Sequence, residues 1–418
     1  MFKFKIKNTV TTEKNLDNKK EKNIITRYLP FFAFYLHQGM LTTLALQGVV
    51  GYFRSEGMNL TQLSWLYIVT IPWIGKFIWA PWCERNSLTF LKNRYLGSLV
   101  ITHILMIFLL ISGSFIDPNF SVWLIISFLT LLMLLSSIHG IYANGILLCT
   151  FKKEEHPYAT VIQIGGSYSG ILLGAFAFLT ITQYATWQIG FLFMASVSFL
   201  LLISIFFLHT VIEKKTNTKA PSFSFSCLKA IWPGILLSGI YYVAARGLMS
   251  LETVFLIDQG LSMSKVGTVL TVNNTILSGI GILLGGFIIR RLKPLKCVIT
   301  VMTIHLFIAV IFVVGQSQFN LIDWIVLYGI FSIFAAVGFV TLYSILMSMV
   351  RPHQPATDYA LFQSMDMTLA MVMSVVAVRV AQNGYGASYL IMAGISLLSM
   401  LVIIPLRKKI FNNTNTVK

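Results

Sequence analysis

"HTVIEKKTNTKAPSFSFSCLKA", residues 209–230, is the longest polar stretch inside an otherwise apolar chain, and it decides how the chain is divided. The 418 residues are 56% hydrophobic and only 11% charged, against about 25% charged for an ordinary soluble protein. Mean hydropathy is +0.79. A soluble chain of this length could bury a large core but would still need a charged surface to cover it. Too few charges are present for that, so the composition points to lipid as the solvent.

Six apolar segments of 20 or more residues precede the polar stretch, near 28–53, 61–83, 95–115, 121–148, 157–183 and 187–211. Six follow it, near 230–257, 264–289, 295–315, 321–349, 357–381 and 385–406. At 1.5 Å per residue, a helix of this length crosses roughly 30 Å of hydrocarbon. None alternates with period two, which excludes a barrel. The predicted fold is therefore an all-α membrane protein of twelve transmembrane helices in two six-helix bundles. Its parts are a basic tail (1–27), a first bundle (28–211), a linker (212–229), a second bundle (230–406) and a second tail (407–418).

Lys and Arg number 31 against 14 Asp and Glu, for a net charge of +17. A nucleic-acid binder would array such residues along one face; here they sit in short runs between apolar blocks, which is a topology signal. With the N-terminus inside, the inner segments collect the basic tail, Arg85, Lys92, Arg94, Lys152, Lys153, Lys214, Lys215, Lys219 and Lys229. They also collect Arg290, Arg291, Lys293, Lys296, Arg351 and the terminal "RKKIFNNTNTVK". The outer loops hold Arg54 and Lys265. Both termini are predicted to be cytoplasmic, and no nucleic-acid partner is expected. The tail has no apolar h-region or small-residue cleavage site, so no cleaved signal peptide is expected. Cys83, Cys149, Cys227 and Cys297 share no metal-ligand spacing and fall at cytoplasmic helix ends, where thiols stay reduced. The motifs GxxxxGK[ST], HExxH and GxSxG are missing, so neither an enzyme nor a cofactor is expected.

Twelve spans arranged as 6+6 around a basic central loop resemble the major facilitator superfamily, in which two bundles rock about a midplane site. The resemblance implies that spans two and eleven face each other between the halves, as do spans five and eight. An ionisable group at membrane depth marks function unless it is paired. Lys76 in "IPWIGKFIWAPWCER" and Asp366 in "ATDYALFQSMD" both lie roughly 12–13 Å above the inner boundary at 1.5 Å per residue. They are expected to approach each other as a gate latch or proton-responsive pair. The alternatives are a snorkelling Lys76 and a neutral, packed Asp366. Arg246 lies past the middle of span seven and cannot shed its charge, so it is expected to face an anionic substrate or a structural partner. Spans one, four, seven and ten line the cavity in this fold, so His37, Gln38, His139, Arg246 and Tyr343 are candidates to converge there, while His103 reads as structural. Trp73, Trp79, Tyr168 and Tyr242 offer stacking walls. Gly165, Gly166, Ser169, Gly170 and Gly174 on span five, and Gly279, Gly281, Gly285 and Gly286 on span eight, read as surfaces that slide during rocking. Pro72 and Pro81 are expected to bend span two.

The blocks "FYLHQGMLTTLALQGVVGYFRSEG" (34–57), "WLYIVTIPWIGKFIWAPWCER" (65–85), "VFLIDQGLS" (254–262) and "TDYALFQSMD" (357–366) resemble the branch holding the muropeptide and acetyl-CoA permeases. Within it they are most similar to the RhtX/FptX-type siderophore permeases. The resemblance runs from about Arg27 onward and departs at Glu84, where the family usually carries aspartate. It implies proton-driven import of a siderophore or related metallophore across the bacterial inner membrane, with Gln38, Gly39, Lys76, Asp358, Gln363 and Asp366 as the matching positions. Asp358 is expected to serve the cytoplasmic gate. Burial disfavours the charged form of an acid, so Asp366 is read as the coupling group. The expected partners are a small, anionic, siderophore-like substrate, protons and the lipid bilayer, with the protein acting as a monomer. The alternatives are a permease for muropeptides or other anionic metabolites, and a siderophore exporter.

Overall fold

Apolar runs this long can satisfy their backbone groups in lipid only as helices or closed barrels. The computed structural model is all-helical over the residues it describes, 27–58, 65–88, 93–118, 120–205, 228–261 and 263–412. These form α1 (27–55), α2 (65–85), α3 (Leu96–Gly113), α4 (Val122–Thr150), α5 (Lys153–Tyr184) and α6 (Trp187–Ile203). After the linker come α7 (Lys229–Asp258), α8 (Lys265–Arg291), α9 (Pro294–Ser317), α10 (Leu321–Ser348), α11 (Pro355–Ala381) and α12 (Tyr385–Asn412). Nine of the described helices, α3 to α5 and α7 to α12, are long and apolar enough to cross a membrane, and α6 is a shorter apolar helix. The tail to residue 26 and most of the predicted linker fall outside the described residues. Helix α12 runs past residue 406 to Asn412.

The regular helices are interrupted at several places, among them Tyr241–Tyr242 in α7, between Ile240 and Val243. Wide π-turns occur at Leu44–Gly48 in α1, Leu172–Ala177 in α5 and Val272–Leu277 in α8. Helix α2 opens as a 3₁₀ segment, Trp65–Thr70, and breaks at Gly75 immediately before Lys76. Pro72 stands in the first turn before that break and Pro81 lies inside the segment after it. Such irregularities collect at functional positions.

Within the first half α3 packs on α4 and α6; within the second, α8 packs on α10, α7 on α11 and α9 on α12. The halves meet where α11 packs on α2 and α4, and where α5 packs on α8 and α10. The glycine faces, however, do not form the surface between the halves. A Cβ on Gly166 would come 2.7 Å from Phe32 O, and Cβ atoms on Gly170 and Gly174 would strike the α1 carbonyls of Leu36 and Met40. On α8, a Cβ on Gly281 would strike Ile333 O of α10, and one on Gly285 would lie 2.9 Å from Val340 Cβ. Both faces are close-packed seams inside one half each. Gly286 alone of these faces the other half, with its Cβ position 2.5 Å from Val161 Cγ2 of α5. Small residues let backbones approach, and here that stiffens each bundle.

Gly170→Val is therefore expected to overpack the α1–α5 seam and cost about 1–3 kcal/mol. Gly165→Ala, with nothing within 4 Å of its Cβ position, is expected to change stability by no more than about 0.5 kcal/mol. Thermal unfolding of the two purified variants checks this, and equal melting temperatures would contradict the seam.

Candidate functional site

Lys76 follows the break in α2 and is completely buried. Its ammonium donates to Gln363 Oε1 of α11 and sits 4.7 Å from the Trp73 ring centroid. Among the described residues it has no carboxylate within 4.0 Å, because the four ion pairs found involve other residues. Two neighbouring polar atoms are also buried without a partner, Trp73 Nε1 and Gln38 Oε1. Gly140 lies between these side chains: a Cβ there would stand 3.6 Å from both the Gln38 amide and the Trp73 ring. Gln363 Oε1 also accepts from Asn144 Nδ2 of α4 at 3.1 Å. Asn144 Oδ1 accepts from Tyr35 at 2.7 Å and Gln163 at 3.3 Å, and Gln163 Oε1 accepts from Tyr359 of α11 at 2.8 Å. This network spans both halves. Asn144 and Gln163 were the residues that sequence reasoning passed over, although an amide inside an apolar span is itself a signal.

Asp366 lies one helical turn beyond Gln363, and its partner is Arg246 of α7 rather than Lys76. Asp366 Oδ2 also accepts from Tyr343 of α10 at 2.8 Å. The guanidinium carbon lies 4.2 Å from the Phe339 ring centroid and 5.4 Å from that of Tyr242, which places the cation among aromatic faces. Arg246, Tyr343 and Asp366 thus form one charge-balanced cluster inside the second half. The expected Lys76–Asp366 latch is replaced by two separate contacts, because Gln363 occupies the position facing Lys76.

His37 and His139 do not join Arg246 and Tyr343. They turn into the first half, where His103, expected to be structural, joins them. His37 stacks on His103 with centroids 4.1 Å apart and 16° between planes, and its Nε2 lies 2.9 Å from Ser198 Oγ of α6. His103 Nε2 lies 3.0 Å from the Ser198 carbonyl and must donate to it. Neutral His103 therefore accepts at Nδ1 from His139 Nε2, 3.3 Å away. Nitrogens of the three rings lie within 4.8 Å of one another. A metal lies near the plane of each imidazole that binds it, so face-to-face His37 and His103 would have to rotate before sharing one. As they stand, the rings pin α1, α3, α4 and α6 together.

At the end of the molecule flanked by Arg85, Arg94, Lys152, Arg290, Arg291 and Arg351, the halves are joined by Glu84 of α2. Its carboxylate accepts from the Ala356 and Thr357 backbone N–H groups at 3.3 and 2.8 Å, capping the first turn of α11. Tyr95 and the Thr357 hydroxyl also donate to it. An anion at a helix N-terminus is favourable through the exposed N–H groups and the dipole. Arg94 reaches Glu84 at 3.7 Å and the His353 carbonyl at 3.3 Å. Asp358, expected to serve the gate between halves, instead binds Arg351 through its backbone N, Nε and Nη2 at 2.9, 2.9 and 2.6 Å. It secures the α10–α11 loop within the second half.

A fold of two helical bundles with buried charge at their junction defines a solute transporter rather than an enzyme. Residues 29–374 match the family model described as Major Facilitator Superfamily, and the chain belongs to that family. It is a multi-pass membrane transporter acting on a small molecule. The chain is 23% identical over 386 residues to the transporter AmpG 1 of Rickettsia bellii (strain RML369-C), covering 86% of this chain and 93% of that one. It is 23% identical over 257 residues to the anhydromuropeptide permease of Escherichia coli (strain K12), covering 58% of this chain and 51% of the permease. Among solved structures it is similar to the proton:xylose symporter XylE, with a TM-score of 0.70 and 12% identity, covering 92% of this chain and 96% of that one. It is also similar to a bacterial homologue of the iron transporter ferroportin in an outward-facing state, with a TM-score of 0.67, 12% identity, and coverage of 92% and 98%. Of these two sequence relatives one carries the muropeptide name, and neither carries the siderophore name that the residue blocks suggested.

Removing one member of a buried ion pair strands the other, at about 3–5 kcal/mol, whereas replacing both is often nearly neutral. Arg246→Leu is expected to lower the melting temperature sharply, and Arg246→Leu with Asp366→Leu to recover most of the loss. A double variant no more stable than the single would show that the pair is not the source of the cost.

Proposed function

We propose that this chain is a proton-coupled permease of the bacterial inner membrane, with both termini cytoplasmic, that imports anionic metabolites of the anhydromuropeptide class. The observation that carries the reading is Lys76, a fully buried ammonium without a carboxylate, beside an unpartnered indole N–H and an unpartnered amide oxygen. A ligand carboxylate accepts from Lys76 and Trp73 Nε1, and a ligand N–H or O–H donates to Gln38 Oε1. Muropeptides combine carboxylates, amides and sugar hydroxyls, and the name of one sequence relative, the anhydromuropeptide permease, supports this class over a siderophore. Arg246 is a weaker candidate for the anion seat because Asp366 already neutralises it.

The same residues suggest how binding drives rocking. The hydrogen bonds between the halves cluster toward the basic end, which the Lys and Arg distribution assigns to the cytoplasm. Lys76–Gln363, Asn144–Gln363, Tyr359–Gln163 and the Glu84 cap hold that end closed. An arriving carboxylate offers Lys76 a charged acceptor in place of a neutral amide oxygen, and charge-assisted bonds are the stronger kind. Lys76 then releases Gln363, one tie between α2 and α11 is lost, and the equilibrium shifts toward opening inward. His37 and His139 act as structural supports in this reading, and Asp358 holds the loop beside the gate.

Uptake of labelled anhydromuropeptide by proteoliposomes carrying a proton gradient tests the reading. Wild type is expected to accumulate it and to stop when the gradient is dissipated. Lys76→Met is expected to weaken apparent affinity by about tenfold or more, equivalent to ~1.4 kcal/mol of lost binding, with partial rescue by Lys76→Arg. Accumulation of a ferric siderophore in place of anhydromuropeptide would overturn the substrate class.

A further inference from the structure

Four carboxylates among the described residues are buried inside the helical body: Glu84, Glu252, Asp358 and Asp366. Three of them meet a guanidinium, Arg94, Arg351 and Arg246 respectively. A guanidinium does not deprotonate in proteins, so each of these three carboxylates has a fixed counter-charge beside it. Glu252 of α7 is different. It is 4% exposed, no cation lies within 4.0 Å of it among the described residues, and its hydrogen-bond partner is an amide, Asn273 Nδ2, at 2.6 Å.

Asn273 is itself buried and lies in the π-turn of α8. Its backbone carbonyl accepts from Ser278 Oγ at 3.1 Å, and Gly329 of α10 leaves room for its side chain: a Cβ there would come 3.2 Å from Asn273 Oδ1. An asparagine amide suits either state of a carboxyl group. Its NH₂ donates to the carboxylate, and after a flip its carbonyl accepts from the acid O–H. The neighbouring titratable groups do not hold the charge of Glu252 either. Tyr328 of α10 bonds Tyr389 of α12 at 2.9 Å. On α7 itself, Arg246 is taken by Asp366, and Asp258 accepts from Tyr385 of α12 at 2.6 Å. Lys265 of α8 and Arg379 of α11 are exposed near the outer ends of their helices.

The geometry points to Glu252 as the proton-binding carboxyl of the transporter, with Asn273 as its positioning residue and the guanidinium-bound Asp366 as a structural group. This deepens the proposed function and rests on its proton-coupled reading. The step is simple: one proton from the outer aqueous side adds to the Glu252 carboxylate, forming an O–H bond, and leaves to the cytoplasmic side after the bundles rock. Glu252 lies six residues from the outer end of α7, roughly 9 Å at 1.5 Å per residue, whereas the hydrogen bonds closing the molecule are at the other end. Protonation removes the uncompensated charge and with it the cost of keeping that charge out of water, so the loaded and unloaded carrier differ in charge where the second bundle moves.

Infrared difference spectra of the purified full chain across the neutral pH range test this without any substrate. Wild type is expected to show a buried carboxylic-acid band that titrates, which Glu252→Gln lacks and Asp366→Asn retains. Persistence of the band in Glu252→Gln, or no titrating band in wild type, would overturn the assignment. Should Glu252→Gln fail to fold, Asn273→Ala decides: a shifted titration midpoint supports the assignment and an unchanged one refutes it. Transport separates this from failure of the parent reading. If wild-type accumulation of labelled anhydromuropeptide ignores the proton gradient, the coupled reading is lost. If it follows the gradient, Glu252→Gln is expected to lose accumulation while keeping substrate exchange, and accumulation at the wild-type level would overturn Glu252 alone.

Discussion

A charge enclosed by helices in hydrocarbon must be met by an opposite charge, by polar groups or by a ligand, and that constraint organises this molecule. Arg246 and Asp366 satisfy it inside the second half, Arg351 and Asp358 at the α10–α11 loop, and Arg94 with the α11 N-terminus at Glu84. Among the described residues two charges are left over, a cation in the first half at Lys76 and an anion in the second at Glu252. A transporter needs groups of this kind. In the proposed cycle the pairs inside the second half, Arg246–Asp366 and Arg351–Asp358, stay fixed, while the Glu84 tie between the halves is broken and remade and the unbalanced groups exchange partners with what is carried.

The packing separates what is rigid from what moves. Glycine seams lock α1 against α5 and α8 against α10, and the imidazole stack ties four helices of the first half together. Between the halves, beside the apolar packing of α5 on α8 and α10, lie polar, directional contacts: an ammonium on an amide, amides on amides and phenols, and a carboxylate on a helix end. Bonds of that type can be broken one at a time and remade with water or solute, whereas close-packed seams resist sliding.

Much of the architecture was legible in the sequence because it depends on long-range patterns. Apolar run length and the alternation of basic loops pointed to helical bundles, and the structure is all-helical over the residues it describes. Partner choice was not legible, because it depends on rotation about each helix axis. Counting placed Lys76 and Asp366 at one height, yet Gln363, three residues earlier on the same helix, takes the ammonium. His37 and His139 were expected to face the cavity, yet α1 and α4 turn them toward Ser198 and His103. The π-turn that presents Asn273 carries no proline or other breaker to announce it. The glycines were read as a contact surface, correctly, but against the wrong neighbour.

A structure of the chain with an anhydromuropeptide bound tests the central claim most directly, because it reads where the unbalanced cation finds its counter-charge. The account predicts a ligand carboxylate on Lys76 Nζ and Trp73 Nε1, the Lys76–Gln363 bond broken, and Arg246 still on Asp366. A ligand carboxylate bound to Arg246 with Asp366 displaced, and Lys76 still on Gln363, would contradict it.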